Sequence, residues 1–478
     1  MISITRLSFF VILVAGCSTA IVAQQAATNS RVVARQSENM VCLPTFDFGH
    51  EIQDPTSVFD QFALIKKSFG IEEQDQQQTP KTDPSTGQQT QQPNTQQRVI
   101  DIPKDPPKDS GNNKSGMSSK IDRTLTKFED SKVLERVRAI FGNPYIHPLF
   151  GGLGDGSGFG GGVEVATGAK ESNFRLFSSI HITLNRYMLA TAGLTSDPTG
   201  GERKRYQFDV IGRYQVRPEE DFYGSGHDSL RRNRTTFNLQ ERGATAAFSI
   251  RPAKPLRFGV GLDYSSNRVF GGKDDRFPQT QTLFPNLPGF ARGAELIGPQ
   301  AFIELDTRDQ PGKPRSGAFI TLVGTSYDGI GTDDFGFHHL RLDARGYIPL
   351  GTKRRVLALR MLGILNDPKG GSQIPFFRLA NIGNTQILRG YDSLRFWGRN
   401  ALAGSVEYRY ELIPGIGALL FTDFGQVFNR RSDLRWDNTE ATYGGGIEFS
   451  SKKATLFRVL IAKSSERLRV IIGFNPTF

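Results

Sequence analysis

From about Ser157 to Phe478 the chain repeats with a period of two residues, and a backbone that alternates so regularly folds as β-strands. In Arg205–Arg217, Tyr206, Phe208, Val210, Gly212, Tyr214 and Val216 share one face. Arg205, Gln207, Asp209, Arg213, Gln215 and Arg217 share the other. Leu402, Gly404, Val406, Tyr408, Tyr410 and Leu412 oppose Ala403, Ser405, Glu407, Arg409 and Glu411 in the same way. A soluble sandwich also alternates. Here the polar face is densely charged and the apolar face carries aromatics at strand ends, as lipid-exposed walls do.

Composition fits that reading. The 478 residues hold 52 Gly, 36 Phe and 12 Tyr, and only 37% are hydrophobic, too few for a helical membrane protein. The net charge of +11 raises nucleic acid as a partner, but no Lys/Arg cluster lies on a helical pattern and no reader motif occurs, so nucleic acid is not expected. Met1–Ala23 reads as an export signal: Arg6 supplies the positive start and Leu7–Gly16 a short apolar core. Val14-Ala15-Gly16-Cys17 fits a lipoprotein box that would acylate Cys17; ordinary cleavage near Ala20 or Ala23 fits as well. Either way the protein leaves the cytoplasm, and Cys42 has no expected disulfide partner.

Between Gln24 and residue 119 the chain is polar and of low complexity. Glu72–Lys120 has no aromatic residue, too little apolar surface to offset the entropy of ordering, so a flexible periplasmic segment is expected. Ile121, Leu125, Phe128, Val133, Leu134, Val137, Ile140 and Phe141 then recur at helical spacing, predicting an amphipathic helix over 120–142. It either braces the periplasmic mouth or lies beside the linker without a role. Residues 143–478 form the expected barrel domain: an all-β, transmembrane antiparallel barrel of about sixteen strands. Five strands follow a long loop and ten precede it, starting near Ser157 and ending at Arg354–Leu365, with one not located. The final strand, with Phe474 and Phe478 on its apolar face and Pro476 between them, resembles the insertion signal of bacterial outer-membrane barrels.

Enzyme signatures are missing from the sequence. The six histidines have no metal-site spacing, and adjacent His338 and His339 on a strand would face opposite ways. Gly151–Gly162 lacks the Lys-Ser/Thr of a phosphate loop and suits a flexible lead-in to the first strand. No enzymatic activity, cofactor or metal is expected.

Several motifs occur in a telling order. Asp306-Thr307-Arg308-Asp309 is followed by Pro311, Pro314 and Gly317; then come Leu388-Arg389-Gly390-Tyr391, Gly404 with Glu407, Phe421-Thr422-Asp423-Phe424-Gly425, and Tyr443-Gly444-Gly445-Gly446. In this order they resemble the BamA/TamA family of outer-membrane assembly and translocation barrels, the bacterial surface antigen family. The resemblance covers roughly the last 330 residues. It implies a long luminal loop, bearing Arg389, Gly390 and Tyr391, between strands eleven and twelve. Gln24–Gly142 lacks the βααββ alternation of the family's periplasmic POTRA domains, so a barrel-only member is expected.

On physical grounds, Arg389 would meet Glu407 and Asp423, both expected to point inward, and lock the loop through charge-assisted bonds. Gly390 would permit close approach or positive φ; Gly425 completes the motif. The expected function is protein insertion or translocation in the bacterial outer membrane. Expected partners are outer-membrane lipid and lipopolysaccharide, client proteins and periplasmic accessory proteins. The alternatives are an anion-favouring pore lined by arginines (Arg205, Arg213, Arg217, Arg341, Arg345 and Arg360) or an adhesive barrel whose loops Asp221–Thr235 and Lys273–Arg292 bind a partner.

Overall fold

Strands with one apolar and one charged face can bury neither alone, and rolling the sheet into a cylinder sends each face to its own solvent. The computed structural model describes residues 145–473 except 155, 168–173, 197–204, 332–334 and 451–454. Sixteen strands pair antiparallel, each with its neighbour in sequence. Eleven precede the long loop: β1 (Ile146–Gly151), β2 (Gly160–Ala166), β3 (Arg175–Thr183), β4 (Met188–Thr195), β5 (Tyr206–Phe222), β6 (Thr235–Ala253), β7 (Leu256–Gly271), β8 (Ala294–Asp306), β9 (Gly317–Gly329), β10 (Gly336–Leu350) and β11 (Thr352–Pro368). The loop itself carries a small hairpin, β12 (Ala380–Ile382) with β13 (Phe396–Gly398). The wall resumes with β14 (Asn400–Ile413), β15 (Ile416–Phe428), β16 (Glu440–Ser450), β17 (Thr455–Lys463) and β18 (Leu468–Gly473).

Side chains sort by parity as a barrel requires. On β5, Tyr206, Phe208 and Val210 are exposed on the outer wall, while Gln207, Asp209 and Gln215 are buried inside. His338 faces outward and His339 inward on β10. The two ends differ. At one, β6–β7, β10–β11 and β14–β15 are joined by one or two residues; at the other run the connections 223–234, 272–293, 369–399 and 429–439. Barrels of this kind place short turns in the periplasm and long loops outside. No helix among the described residues is long and apolar enough to cross a membrane, which has no bearing on strands.

Two expectations are corrected. The wall starts at Ile146, not near Ser157, and β1 is the strand that the sequence did not reveal. Its six residues, IHPLFG, carry no polar alternation, so a period-two search passes over them. Consequently Gly151–Gly162 is no lead-in to the first strand. It closes the β1–β2 connection, and Gly160, Gly161 and Gly162 pair with Gly151, Phe150 and Leu149. The export signal with Cys17, the 24–119 segment, the 120–142 helix, and Phe474, Pro476 and Phe478 lie outside the described residues.

Candidate functional site: an arginine-anchored loop inside the barrel

The connection 369–399 is the longest in the barrel, and the backbone N–H and C=O groups of its 31 residues need partners once folded into a lumen. The β12–β13 hairpin satisfies some of them. Phe376–Arg378 forms a 3-10 turn, and Asn384 accepts the backbone N–H groups of Gln386 and Ile387 at 2.7 and 2.8 Å. At the tip, Leu388 is buried with φ +53°, a left-handed conformation that a branched side chain adopts only when packing demands it. Gly390 does not have positive φ; that half of the expectation moves to Leu388. A Cβ on Gly390 would lie 2.8 Å from the Ser464 backbone nitrogen and 2.9 Å from the Lys463 carbonyl carbon, so close approach is what this glycine provides. Gly390→Ala should therefore push the tip off the β17–β18 turn at a cost of about 1–3 kcal/mol, read as a lower unfolding temperature in detergent.

Arg389 sits at the centre, fully buried. Its Nε and Nη2 donate to the two Asp423 carboxylate oxygens at 2.9 and 2.7 Å, the planar two-pronged geometry that lysine lacks. Its backbone N–H donates to Asp423 Oδ2 at 3.1 Å. Nη1 reaches Glu407 Oε2 at 2.8 Å, and Nη2 reaches Ser405 Oγ at 3.1 Å. The guanidinium carbon lies 3.4 Å from the centroid of the Phe421 ring. Ser405 and Thr442 hydroxyls donate to Asp423 at 2.7 and 3.0 Å, and Arg409 Nε donates to the free oxygen of Glu407 at 2.5 Å. These residues stand on β14, β15 and β16 at inward positions. The structure thus brings Arg389, Glu407 and Asp423 together, with desolvation offset by a full set of bonds.

Small residues make room for this. Gly444, inward on β16, lies where a Cβ would come within 2.6 Å of the Phe421 ring. A Cβ on Gly425 would meet Ala403 Cβ at 3.0 Å and Ile382 Cδ1 at 3.2 Å, so this glycine seats the loop hairpin against the wall. Tyr391 donates its hydroxyl to Glu440, and its carbonyl accepts from Arg469 on β18. Ser464 Oγ donates to the Gly390 carbonyl at 2.9 Å. Asp392 pairs with Arg231 and Arg467. Burial pushes its carboxyl up, but the two guanidinium groups outweigh that and hold it below the ordinary carboxylate range. Being held down, it stabilises the fold above that range and loses this contribution only as pH falls beneath it. The loop-to-rim contact should therefore withstand mildly acidic pH, measurable as unchanged proteolysis of the loop down to about pH 5.

Sequence reasoning missed the remaining anchors. Arg378 donates to Ser265 Oγ at 2.5 Å on β7, and Arg395 binds Glu466 at 2.7 Å and the Ser229 carbonyl at 2.8 Å. Their signal was present: both are arginines inside the longest loop, opposite inward polar positions. At the outer end Phe222, Phe237, Phe290, Phe376, Phe377 and Trp397 pack into one buried aromatic layer, with Phe237 and Phe376 rings 4.9 Å apart. Phe222 belongs to Asp221–Thr235 and Phe290 to Lys273–Arg292, so both loops, which the adhesive alternative assigns to partner binding, contribute to this layer.

Four of the six arginines expected to line an anion path face carboxylates. Arg213 binds Glu241 at 2.7 Å and Asp263 at 3.2 Å, while Arg345 and Arg360 share Asp343 at 2.7 and 2.6 Å. Arg217 lies 3.7 Å from Glu220. No group of acidic, histidine or cysteine side chains among the described residues is arranged to hold a metal. At the periplasmic end, the 307–316 turn after Asp306 reaches across to other strands: Lys313 Nζ lies 3.1 Å from Glu411 on β14 and 2.6 Å from Ser450 on β16.

The sequence profile of the Omp85 superfamily domain matches residues 199–464, more than half of the chain and the whole Arg389–Glu407–Asp423 cluster. The chain belongs to the Omp85 superfamily. Among solved structures, BamA from Haemophilus ducreyi lacking POTRA domains 1–3 is similar over 68% of this chain and 69% of its own, with 14% identity and a TM-score of 0.50. That likeness establishes the fold, an Omp85 barrel of the BamA/TamA type. CdiB from Acinetobacter baumannii (12% identity, 67% of this chain and 56% of that one, TM-score 0.41) and CdiB from Escherichia coli (12%, 69% and 62%, 0.46) are more distant likenesses. None of the curated proteins compared with the chain matches it. As an Omp85 barrel the protein is an outer-membrane β-barrel of the protein assembly and transport class.

Proposed function

We propose that this Omp85 barrel inserts or translocates client proteins at the bacterial outer membrane, and that Arg389 locks its luminal loop as the controlling element. The Arg389–Asp423–Glu407 cluster carries this reading. Buried Arg378, Arg389 and Arg395 fasten the loop inside the lumen, and the aromatic layer above that loop opposes free passage of solutes. Carboxylates beside Arg213, Arg217, Arg345 and Arg360 likewise weaken the anion-pore alternative, because they offset much of that positive charge at short range.

Traffic then has to leave through the wall. The first strand of the seam supports this: β1 is six residues long, against seventeen in β5 and nineteen in β6. Pro148 in β1 removes a ladder donor, and Gly473 adds no side-chain packing to β18. Such a seam can open and offer its edge to an incoming strand. Clients and periplasmic accessory proteins are therefore the proposed partners, with the segment before the barrel on the periplasmic side.

The test is a deletion strain complemented by wild type or by a variant carrying a disulfide between β1 and the last strand. Loss of client proteins from the outer membrane, reversed by reductant, is expected. Full complementation by the oxidised, cross-linked barrel would refute lateral opening.

A further inference from the structure

The outer wall is apolar where acyl chains touch it and turns polar toward the long-loop end, with Glu295 on β8, Asp328 on β9, His338 on β10 and Asp367 on β11; on β6 and β7 alone among these strands the change brings in arginines. On β6 the outward positions read Ile250, Phe248, Ala246 and Ala244 from the periplasmic end, and then Arg242. On β7 they read Phe258, Val260, Leu262 and Tyr264, then Ser266 and Arg268, with the exposed Phe270 closing the strand beyond them. Register pairs Arg242 with Ser266 and Gln240 with Arg268, so the two arginines are diagonal neighbours on one face, about 7–8 Å apart at that spacing. Both are exposed. Neither guanidinium has a carboxylate at ion-pair distance among the described residues, unlike the luminal arginines above. The closest acid along the row, Glu295 opposite Ser266, accepts the Tyr264 hydroxyl at 2.5 Å.

Two tyrosines mark the depth. Tyr214 on β5 and Tyr264 on β7 flank Arg242, whose guanidinium carbon is 5.9 Å from the Tyr214 ring centroid. Tyrosine collects where acyl chains give way to headgroups. This boundary lies toward the long-loop end of the strands, the outer leaflet side. A pair of uncompensated arginines at that depth, with Gln240 and Ser266 as further donors, matches a doubly charged phosphate on a headgroup.

We propose that the outer face of β6–β7 holds the phosphate of an outer-leaflet glycolipid between Arg242 and Arg268, fixing the long strands β5–β8 in the membrane. The inference does not depend on the insertion role. Barrel protein purified in mild detergent is mixed with diphosphoryl lipid A or its enzymatically dephosphorylated counterpart, and retained lipid is counted by native mass spectrometry. Wild type should prefer the phosphorylated lipid, and Arg242→Ala with Arg268→Ala should reduce that preference by about tenfold. Lys273→Ala with Arg292→Ala removes equal charge from the loop beyond the wall and should leave the preference unchanged. The heat-modifiable gel band reports folding of each variant. Equal retention by wild type and the Arg242/Arg268 variant, or an equal loss from the loop variant, overturns the site. Full displacement of the lipid by millimolar inorganic phosphate overturns the lipid as its ligand.

Discussion

Arg389→Ala will leave Asp423 and Glu407 facing an empty volume, and the barrel should lose about 3–5 kcal/mol, the usual penalty for removing one partner from a buried ion pair. The size follows from geometry. Asp423 loses the two guanidinium donors at 2.9 and 2.7 Å and keeps the backbone N–H of residue 389 and the hydroxyls of Ser405 and Thr442. Glu407 retains Arg409 at 2.5 Å. Asp423 is thus the worse-served group, and Arg389→Ala with Asp423→Ala should recover part of the loss. Arg389→Lys keeps the charge without the fork, and should fall between wild type and alanine. Heat-modifiability of the folded band and the rate at which protease cuts within 369–399 measure both consequences. An unaltered band with an unaltered cutting rate would show that the cluster does not hold the loop.

Removing the loop tests a different property. Deleting 372–398 and joining the ends with a short Gly/Ser linker should raise conductance in a planar bilayer by about tenfold or more, because it clears the lumen and strips Phe376, Phe377 and Trp397 from the aromatic layer. The sixteen-stranded wall should persist, since β11 and β14 pair directly from Arg355–Tyr410 to Ile364–Ala401. Wild type should conduct weakly, and Arg389→Ala should flicker between the two levels as the loop detaches and returns. A large, steady wild-type current that neither change affects would favour the passive pore.

Strand parity and motif order were legible in the sequence for a simple reason: each outward side chain must suit lipid and each inward one water or a partner, so a period of two is enforced along every spanning segment. Parity alone put Glu407 and Asp423 on the same wall face as the loop arginine. It was silent where that rule does not act. β1 escaped because IHPLFG has no polar alternation, and Leu388 took the positive φ expected of Gly390 because tip packing, not residue type, decides it. Ser405, Thr442, Arg378 and Arg395 were ordinary polar residues until strands far apart in sequence closed around one loop.

By itself, then, the order of residues determined the class of fold, the facing of its side chains and the arginine that would be buried. Tertiary structure alone decided which carboxylates, hydroxyls and rings receive that arginine, and that Arg213, Arg345 and Arg360 meet luminal carboxylates. Those are long-range contacts, and they are decided by how the cylinder closes, which short-range alternation does not encode.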